Sequence, residues 1–290
     1  MQVKKAVIPV AGWGTRSLPA TKNVPKEMLP IFRKPIVQYI VEEGIKAGLT
    51  DVVFVTNQNK TIIEDHFDRN FLLEQLLDRA GKEQMLEEVR RVADMVNVIA
   101  VRQKEQLGLG HAVLTAREVC KNDPFAVMLG DDLMFGIDTG IGALIKAAEE
   151  SGKAVVGVIE VPEEKVSKYG VIKGEELENG TFRVTDLVEK PAVEDAPSNL
   201  AIIGRYVLLP EIFDILDGQK AGVGGEIQLT DALQGLADQD KLIAVKLGGQ
   251  RFDAGDWVEY LTANIYFALQ DEELRDELVK RLQELLSCSD

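Results

Sequence analysis

Short apolar runs alternate with helical patterns through the first half of the chain. Ala6-Val7-Ile8-Pro9-Val10 reads as a buried strand. From Pro35 the apolar residues Ile36, Val37, Ile40, Val41 and Ile45 recur at helical spacing, with Gly48 placed as a C-terminal cap. Val52–Val55, Val98–Val101 and Phe125–Leu129 read as further strands, and residues 71–95 and His111–Cys120 as helices. Strands alternating with helices imply βαβ units, hence an α/β, Rossmann-like fold: a mixed, mainly parallel central sheet with helices on both faces. Ligands of such sheets bind beyond the carboxyl ends of the strands.

After about Ser151 the rhythm changes. Ala154–Val161, Gly170–Lys173, Phe182–Val188 and Ala201–Leu208 are strand-like with no long helix between them, which predicts antiparallel additions covering one side of the sheet. Glu226–Leu236 reads as a helix, and residues 258–286 as a helical tail with more apolar surface than one face needs. No internal repeat and no linker composition interrupts the chain, so residues 1–290 read as one extended domain.

Composition removes several classes of function. A net charge of −15 argues against nucleic-acid binding, which relies on basic patches. No apolar run reaches the ~20 residues that span a bilayer, and residues 1–5 lack the features of an export signal, so a cytoplasmic protein without a membrane partner is expected. Cys120 and Cys288 are far apart and outside any CxxC, and His66 and His111 are isolated; neither a disulfide framework nor a thiolate or histidine metal site is supported. The charge is uneven: residues 1–34 hold seven Lys or Arg and a single acid, Glu27. A basic island in an acidic chain is where an anionic small molecule is to be sought, although charge alone fits a solvated basic face equally.

That island contains AGWGTRSLPATKNVPKEMLP, from Ala11 to Pro30, directly after the first strand. Gly12 and Gly14 let the backbone bend and approach a ligand closely, while Arg16, Lys22 and Lys26 add charge, the ingredients of a phosphate cradle. Two familiar cradles do not fit. GxxxxGK[ST] is absent, and the dinucleotide fingerprint fails because Ser17 fills the third glycine position and the next strand ends at Thr56-Asn57 without an acid. Gly130-Asp131-Asp132 follows the strand Ala126–Leu129, and RFDAGDW places Asp253 after another apolar run, Leu242–Leu247. Carboxylates at strand ends suit Mg2+, which takes one or two carboxylates plus substrate phosphates. Each motif alone is commonly a turn; together they point to phosphoryl or nucleotidyl transfer.

The same loop, followed by Lys34-Pro35 and Gln38-Tyr39, resembles the sugar-1-phosphate nucleotidyltransferases, and PATKxxPKEMLP resembles their bacterial UTP–glucose-1-phosphate uridylyltransferases. DHFD at 65–68, LGLGHAVL at 107–114, VEKP at 188–191, APSNLAIIGRYVL at 196–208 and GGEIQLTDA at 224–232 extend the resemblance over essentially the whole chain. It implies the nucleotide-diphospho-sugar transferase fold, with a nucleotide-binding half over 1–150, a sugar-binding half over 151–255 and a C-terminal helical segment over 256–290. It implies a reaction of UTP with glucose 1-phosphate, a homodimer or homotetramer, and a set of roles. Ala11, Gly12 and Asp132, the last close to the metal, contact the nucleotide, and Gln103 and Gly108 read the base. Arg16 and Lys26 grip the triphosphate; Asp131 and Asp253 hold Mg2+. Tyr169, Gly170 and Glu189 meet the sugar, and Lys190 its phosphate. The chain departs from the family where Trp257 replaces a lysine beyond the FDxG motif, at Trp13, and at Phe32-Arg33. The competing readings are a relative using dTTP or another sugar phosphate, an inactive sugar-nucleotide-binding relative, and, disfavoured by its broken fingerprint, a NAD-dependent oxidoreductase.

Overall fold

The computed structural model describes residues 2–136, 140–178 and 180–287; Cys288 lies outside them. Strands β1 (Lys5–Pro9), β2 (Asp51–Thr56), β3 (Asn97–Arg102) and β4 (Phe125–Met128) are the parallel strands that the apolar runs predict. β5 (Asp132–Phe135) leaves the sheet, and β6 (Ala154–Glu160), β7 (Gly170–Glu176), β8 (Thr181–Glu189), β9 (Leu200–Leu208), β10 (Leu242–Lys246) and β11 (Gln250–Asp253) follow, apart from a two-residue ribbon that pairs Pro30–Ile31 with Lys34–Pro35. Nine of them form one sheet in the order β3-β2-β1-β4-β9-β6-β10-β8-β7.

The expected antiparallel cover over one side of the sheet is not what forms. The later strands extend the same sheet edgewise: β9 runs antiparallel between β4 and β6, and β10 lies parallel to β6. Apolar side chains on both faces of β6 and β9 explain this, since such strands bury only within a sheet flanked on both sides. Alternation along the strands sends Ala6, Ile8, Val52 and Phe54 into one core and Val7, Val53 and Val55 into the other.

Helices cover both faces. α1 (Ile36–Lys46) ends with Gly48 at φ +89°, as its capping pattern predicts. After α2 (Thr61–His66), the expected helix over 71–95 is two, α3 (Phe71–Arg79) and α4 (Glu83–Asp94), divided at Gly81 with φ +64°. His111–Cys120 likewise divides into α5 (Leu109–Thr115) and α6 (Arg117–Cys120). α7 (Ile141–Ser151) was not anticipated; α8 (Ile212–Asp217) and α9 (Leu229–Ala237) pack with α5. The tail forms α10 (Trp257–Ala268) and α11 (Arg275–Ser287). No helix among the described residues is long and apolar enough to cross a membrane.

Two long-range pieces place the chemistry. β5 and β11 pair as an antiparallel ribbon with Asp132 opposite Asp253, bringing the two acidic motifs together. α10 returns to the glycine-containing loop: Tyr260 Oη donates to Pro30 O at 2.7 Å, and Phe32 N donates to Asn264 Oδ1 at 2.9 Å.

Candidate active site

The loop after β1 is held from beneath. Thr21 Oγ1 donates to Gly14 O at 2.8 Å, where Gly14 has φ +65°, and Asn57 Nδ2 donates to Ala11 O at 2.7 Å. Glu27 and Lys60 form a buried ion pair at 2.8 Å under the turn Lys26–Met28. Burial pushes the Glu27 carboxyl up and pulls the Lys60 ammonium down, each offset in part by the other's charge. Such a pair fixes the turn, because removing either member leaves an uncompensated buried charge.

Above this pair, Lys26 reaches Asp131 at the end of β4 in a close ion pair, and Arg16 Nη2 lies 3.8 Å from the same carboxylate. Burial alone would raise Asp131, but the Lys26 and Arg16 charges overcome it and hold the carboxyl below its ordinary range. Burial likewise opposes the charged Lys26, and Asp131 and Glu27 more than compensate, so its pKa is raised. Burial pushes Asp253 up, and the neighbouring negative charge of Asp131 adds to it. Two carboxylates that repel one another at the mouth of a cavity are a donor set suited to a hard cation. Among the described residues no group of three or more His, Cys, Asp or Glu side chains could hold a metal, so further ligands must come from substrate or water.

Asp132 serves differently from its neighbour. Its Oδ2 accepts from Gly204 N at 3.0 Å, and Arg251 approaches both carboxylate oxygens, Nε lying 2.7 Å from Oδ1 and Nη2 3.2 Å from Oδ2. Asp132 thus braces the turn from within while lining the cavity. Arg205, fully buried, locks the same turn: it donates to Asp132 O at 2.7 Å and to both oxygens of Glu43 at 2.9 and 2.6 Å.

On the far side of a cavity of about 370 Å3 stand Tyr169, Gly170, Glu189 and Lys190, facing Arg16, Asp131 and Asp253. Thr230 Oγ1 donates to Glu189 Oε2 at 2.6 Å, orienting the carboxylate. Lys190 Nζ lies 3.4 Å from Glu189 Oε1, and Lys190 adopts φ +47°, a left-handed conformation rarely taken by a lysine. Its amide donates to Tyr169 O at 2.9 Å, tying the two segments together. Strain of this kind, held by surrounding bonds, concentrates at ligand sites.

Gln103 and Gly108 meet elsewhere, beside the loop. Gln103 Nε2 donates to Gly108 O at 3.2 Å, and Gln103 lines a separate hollow with Trp13 and Asn57. Gly108 has φ +103°, and a Cβ there would lie 2.8 Å from Ile227 O, so only glycine fits. Ala11 is buried at the loop's start, and Gly12 lies open, with nothing within 4 Å of a Cβ placed on it. Trp257 is half exposed and packs edge-on against Tyr260 at 5.7 Å.

The sequence reading did not name Arg205, Arg251, Thr230 or Lys168. Arg205 and Thr230 lie inside the IIGRY and IQLTDA runs and Arg251 begins RFDAG, so the motifs held the signal; their partners, 41 to 162 residues away in the chain, did not.

The sequence profile of the family described as nucleotidyl transferase matches residues 5–269. A UTP–glucose-1-phosphate uridylyltransferase of Staphylococcus haemolyticus is 50% identical over 284 residues, covering 98% of this chain and 99% of that protein. Among solved structures, a UDP-glucose pyrophosphorylase from Acinetobacter baumannii superposes with a TM-score of 0.90 at 39% identity, over 98% of this chain and 100% of that one. A UDP-glucose pyrophosphorylase complexed with UDP-glucose gives 0.86 at 43% identity, over 93% and 100%. With matches of this extent, the chain belongs to the nucleotidyl transferase family of UTP–glucose-1-phosphate uridylyltransferases.

Proposed function

We propose that the chain joins UTP to glucose 1-phosphate in the cleft between the Lys26–Asp131 pair and the Glu189–Lys190 pair, giving UDP-glucose and pyrophosphate. The observation that carries this is one cavity lined by Asp131, to which Lys26 is paired, and by Glu189, Lys190 and Asp253. An oxygen of the sugar phosphate attacks the α-phosphorus of UTP in line. A new P–O bond forms, the bond from that phosphorus to the bridging oxygen of the β-phosphate breaks, and pyrophosphate leaves with the electron pair. The attacking oxygen is already ionised, so no general base is required. What the reaction needs is two anions held together and compensation for charge developing on the phosphoryl oxygens.

Ala11 and Gly12 present backbone to the nucleotide, and Gln103 with Gly108 reads the base. Arg16 and Lys26 reach the triphosphate, Lys26 exchanging Asp131 for phosphate oxygens when substrate enters. Tyr169, Gly170 and Glu189 take the sugar, where a carboxylate accepts hydrogen bonds from two hydroxyls and rejects the wrong epimer. Lys190 binds the sugar's phosphate. Asp132 positions the neighbouring Asp131 through its bonds to Gly204 and Arg251. Asp131 and Asp253 fit Mg2+, which when bound offsets phosphate charge and polarises the α-phosphate.

A reaction drawing on UTP supports a location in the cytoplasm. Val258, Leu261 and Leu286, exposed along α10 and α11, support assembly as a homodimer or homotetramer. Pyrophosphate release is to be measured with Mg2+ across a panel of nucleoside triphosphates and sugar 1-phosphates. UTP with glucose 1-phosphate is expected to give the highest kcat/KM; no release with any pair would leave only a binding function.

A further inference from the structure

The sugar-side cavity opens into a second, wider one of about 670 Å3, and Arg16, Lys168, Arg251 and Asp253 stand in the walls of both. Lys165 lines the second. Lys165 and Lys168 lie on the 3-10 turn Glu163–Lys168, where residues three apart eclipse, so both side chains leave the same face. Both are exposed, and among the described residues neither is within ion-pair range of a carboxylate. On the loop side Lys26 is paired with Asp131, Lys60 with Glu27 and Lys34 with Glu42, while Lys22, exposed like Lys165 and Lys168, lines a different cavity.

The acids of this second cavity do not cancel the lysines. Asp256 is turned into the start of α10, its Oδ1 accepting from Val258 N at 2.9 Å and Glu259 N at 3.2 Å. Asp253 Oδ1 accepts from Gly255 N at 2.8 Å, and the carboxylate faces the shared mouth. With Glu259 the wall holds three acids against two lysines and two arginines, of which Arg251 is paired with Asp132 and Arg16 lies 3.8 Å from Asp131.

We infer that this cavity is a pyrophosphate bay, with Lys165 and Lys168 as binding residues for the β,γ end of UTP and for the pyrophosphate it becomes. The inference rests on the uridylyl-transfer reading. Pyrophosphate is among the most highly charged species in that reaction, and the structure offers it a cavity with unpaired cations next to Arg16. The sugar's phosphate already has Lys190, which lines the first cavity, whereas Lys165 lines the second. Exposed ammonium groups on flexible stems hold an anion as point charges, which suits a product that must leave.

The reverse reaction isolates this anion. An oxygen of pyrophosphate attacks the α-phosphorus of UDP-glucose, the bond to the bridging oxygen breaks, and glucose 1-phosphate leaves with the electron pair. For the Lys165→Ala/Lys168→Ala double variant we expect KM for pyrophosphate to rise about tenfold or more, the loss of charge-assisted contacts. KM for UDP-glucose, and for glucose 1-phosphate in the forward direction, should stay within about twofold. The Lys165→Arg/Lys168→Arg variant should keep most of the affinity, and Lys280→Ala on α11 should behave as wild type. An unchanged KM for pyrophosphate overturns the inference, as does an equal or larger rise for glucose 1-phosphate, which would make the bay a sugar-phosphate site. Wild-type protein that makes no UTP from UDP-glucose and pyrophosphate would instead sink the underlying reaction, and the bay with it.

Discussion

The floor of the cleft and its mouth are built on opposite electrostatic plans. On the floor, Arg205, Glu27 and Lys60 are buried and every one is paired, Arg205 with Glu43 and with the backbone of the acidic turn. At the mouth, Lys165, Lys168 and Lys190 are exposed, and of these only Lys190 has an ion-pair partner, its own neighbour Glu189. Buried charges without partners would unfold the chain, so the floor must be complete before substrate arrives. Charges at the mouth are in water and cost little to leave waiting. The difference separates residues that build the site from residues that, in the proposed reaction, await the anions, and it predicts which substitutions alter stability and which alter kinetics.

The sharpest break of this contrast is Arg205→Met. It removes the guanidinium from a partly buried Glu43, which keeps the Ile141 N–H at 2.8 Å as a donor, and should lower unfolding free energy by about 3–5 kcal/mol in denaturant titrations. A loss below about 1 kcal/mol would show that the floor does not depend on the pair. Lys26→Ala stands at the boundary, since Lys26 is both paired and aimed at substrate. Its kcat is expected to fall about 10²–10³-fold, as for removal of one donor to a developing oxyanion, with the thermal midpoint little changed. Wild-type turnover would remove Lys26 from the chemistry.

Gly255→Ala tests the link between floor and mouth. A Cβ there would lie 2.6 Å from Arg16 Nη2 and 3.0 Å from Asp253 Oδ1. The arginine is long and can yield, so the fold should survive while kcat/KM for UTP drops about tenfold as Arg16 is displaced. Equal kinetics in the variant would mean that Arg16 acts from another position.

The smallest effect is expected far from the cleft. Arg69 and Arg90 hold the Glu74 carboxyl at about 2 by hydrogen bonds and charge, against burial that works the other way. With an unfolded-state value of about 4.3, this depressed pKa contributes stability that is complete above about pH 4.3 and is lost as pH falls through 2. Glu74→Gln should therefore lower the thermal midpoint slightly at pH 7 and not at pH 2. A difference that persists unchanged at pH 2 would assign the effect to packing of α3 and α4.

Much of the fold is written locally. The buried runs at 6–10, 52–55, 98–101 and 125–129 and the periodic segment after Pro35 need only their own composition to be read. What escaped depends on distance in the chain. β9 inserts between β4 and β6, and nothing in residues 200–208 names those neighbours. β5 and β11 are four residues each and become strands by pairing with one another. The breaks at Gly81 and Ala116 interrupt patterns whose apolar periodicity continues across them. The site followed the same rule. Glycines, lysines and acids clustered in motifs were visible as chemistry, whereas the division of labour between Asp131 and Asp132 was not. Adjacent in sequence and identical in type, they differ because Arg251 and Gly204 claim one and Lys26 claims the other.

Arg16 leaves the loop after the first strand and comes to rest against Gly255, while Tyr260 and Asn264 hold the end of that loop. During synthesis, then, Arg16 emerges well before Gly255, the residue against which it comes to rest. A ribosome-bound chain halted before residue 255 would display the phosphate loop without the turn that aims its arginine. The proposed reaction therefore waits on residue 255, and a fragment that stops before it has no reason to turn over UTP.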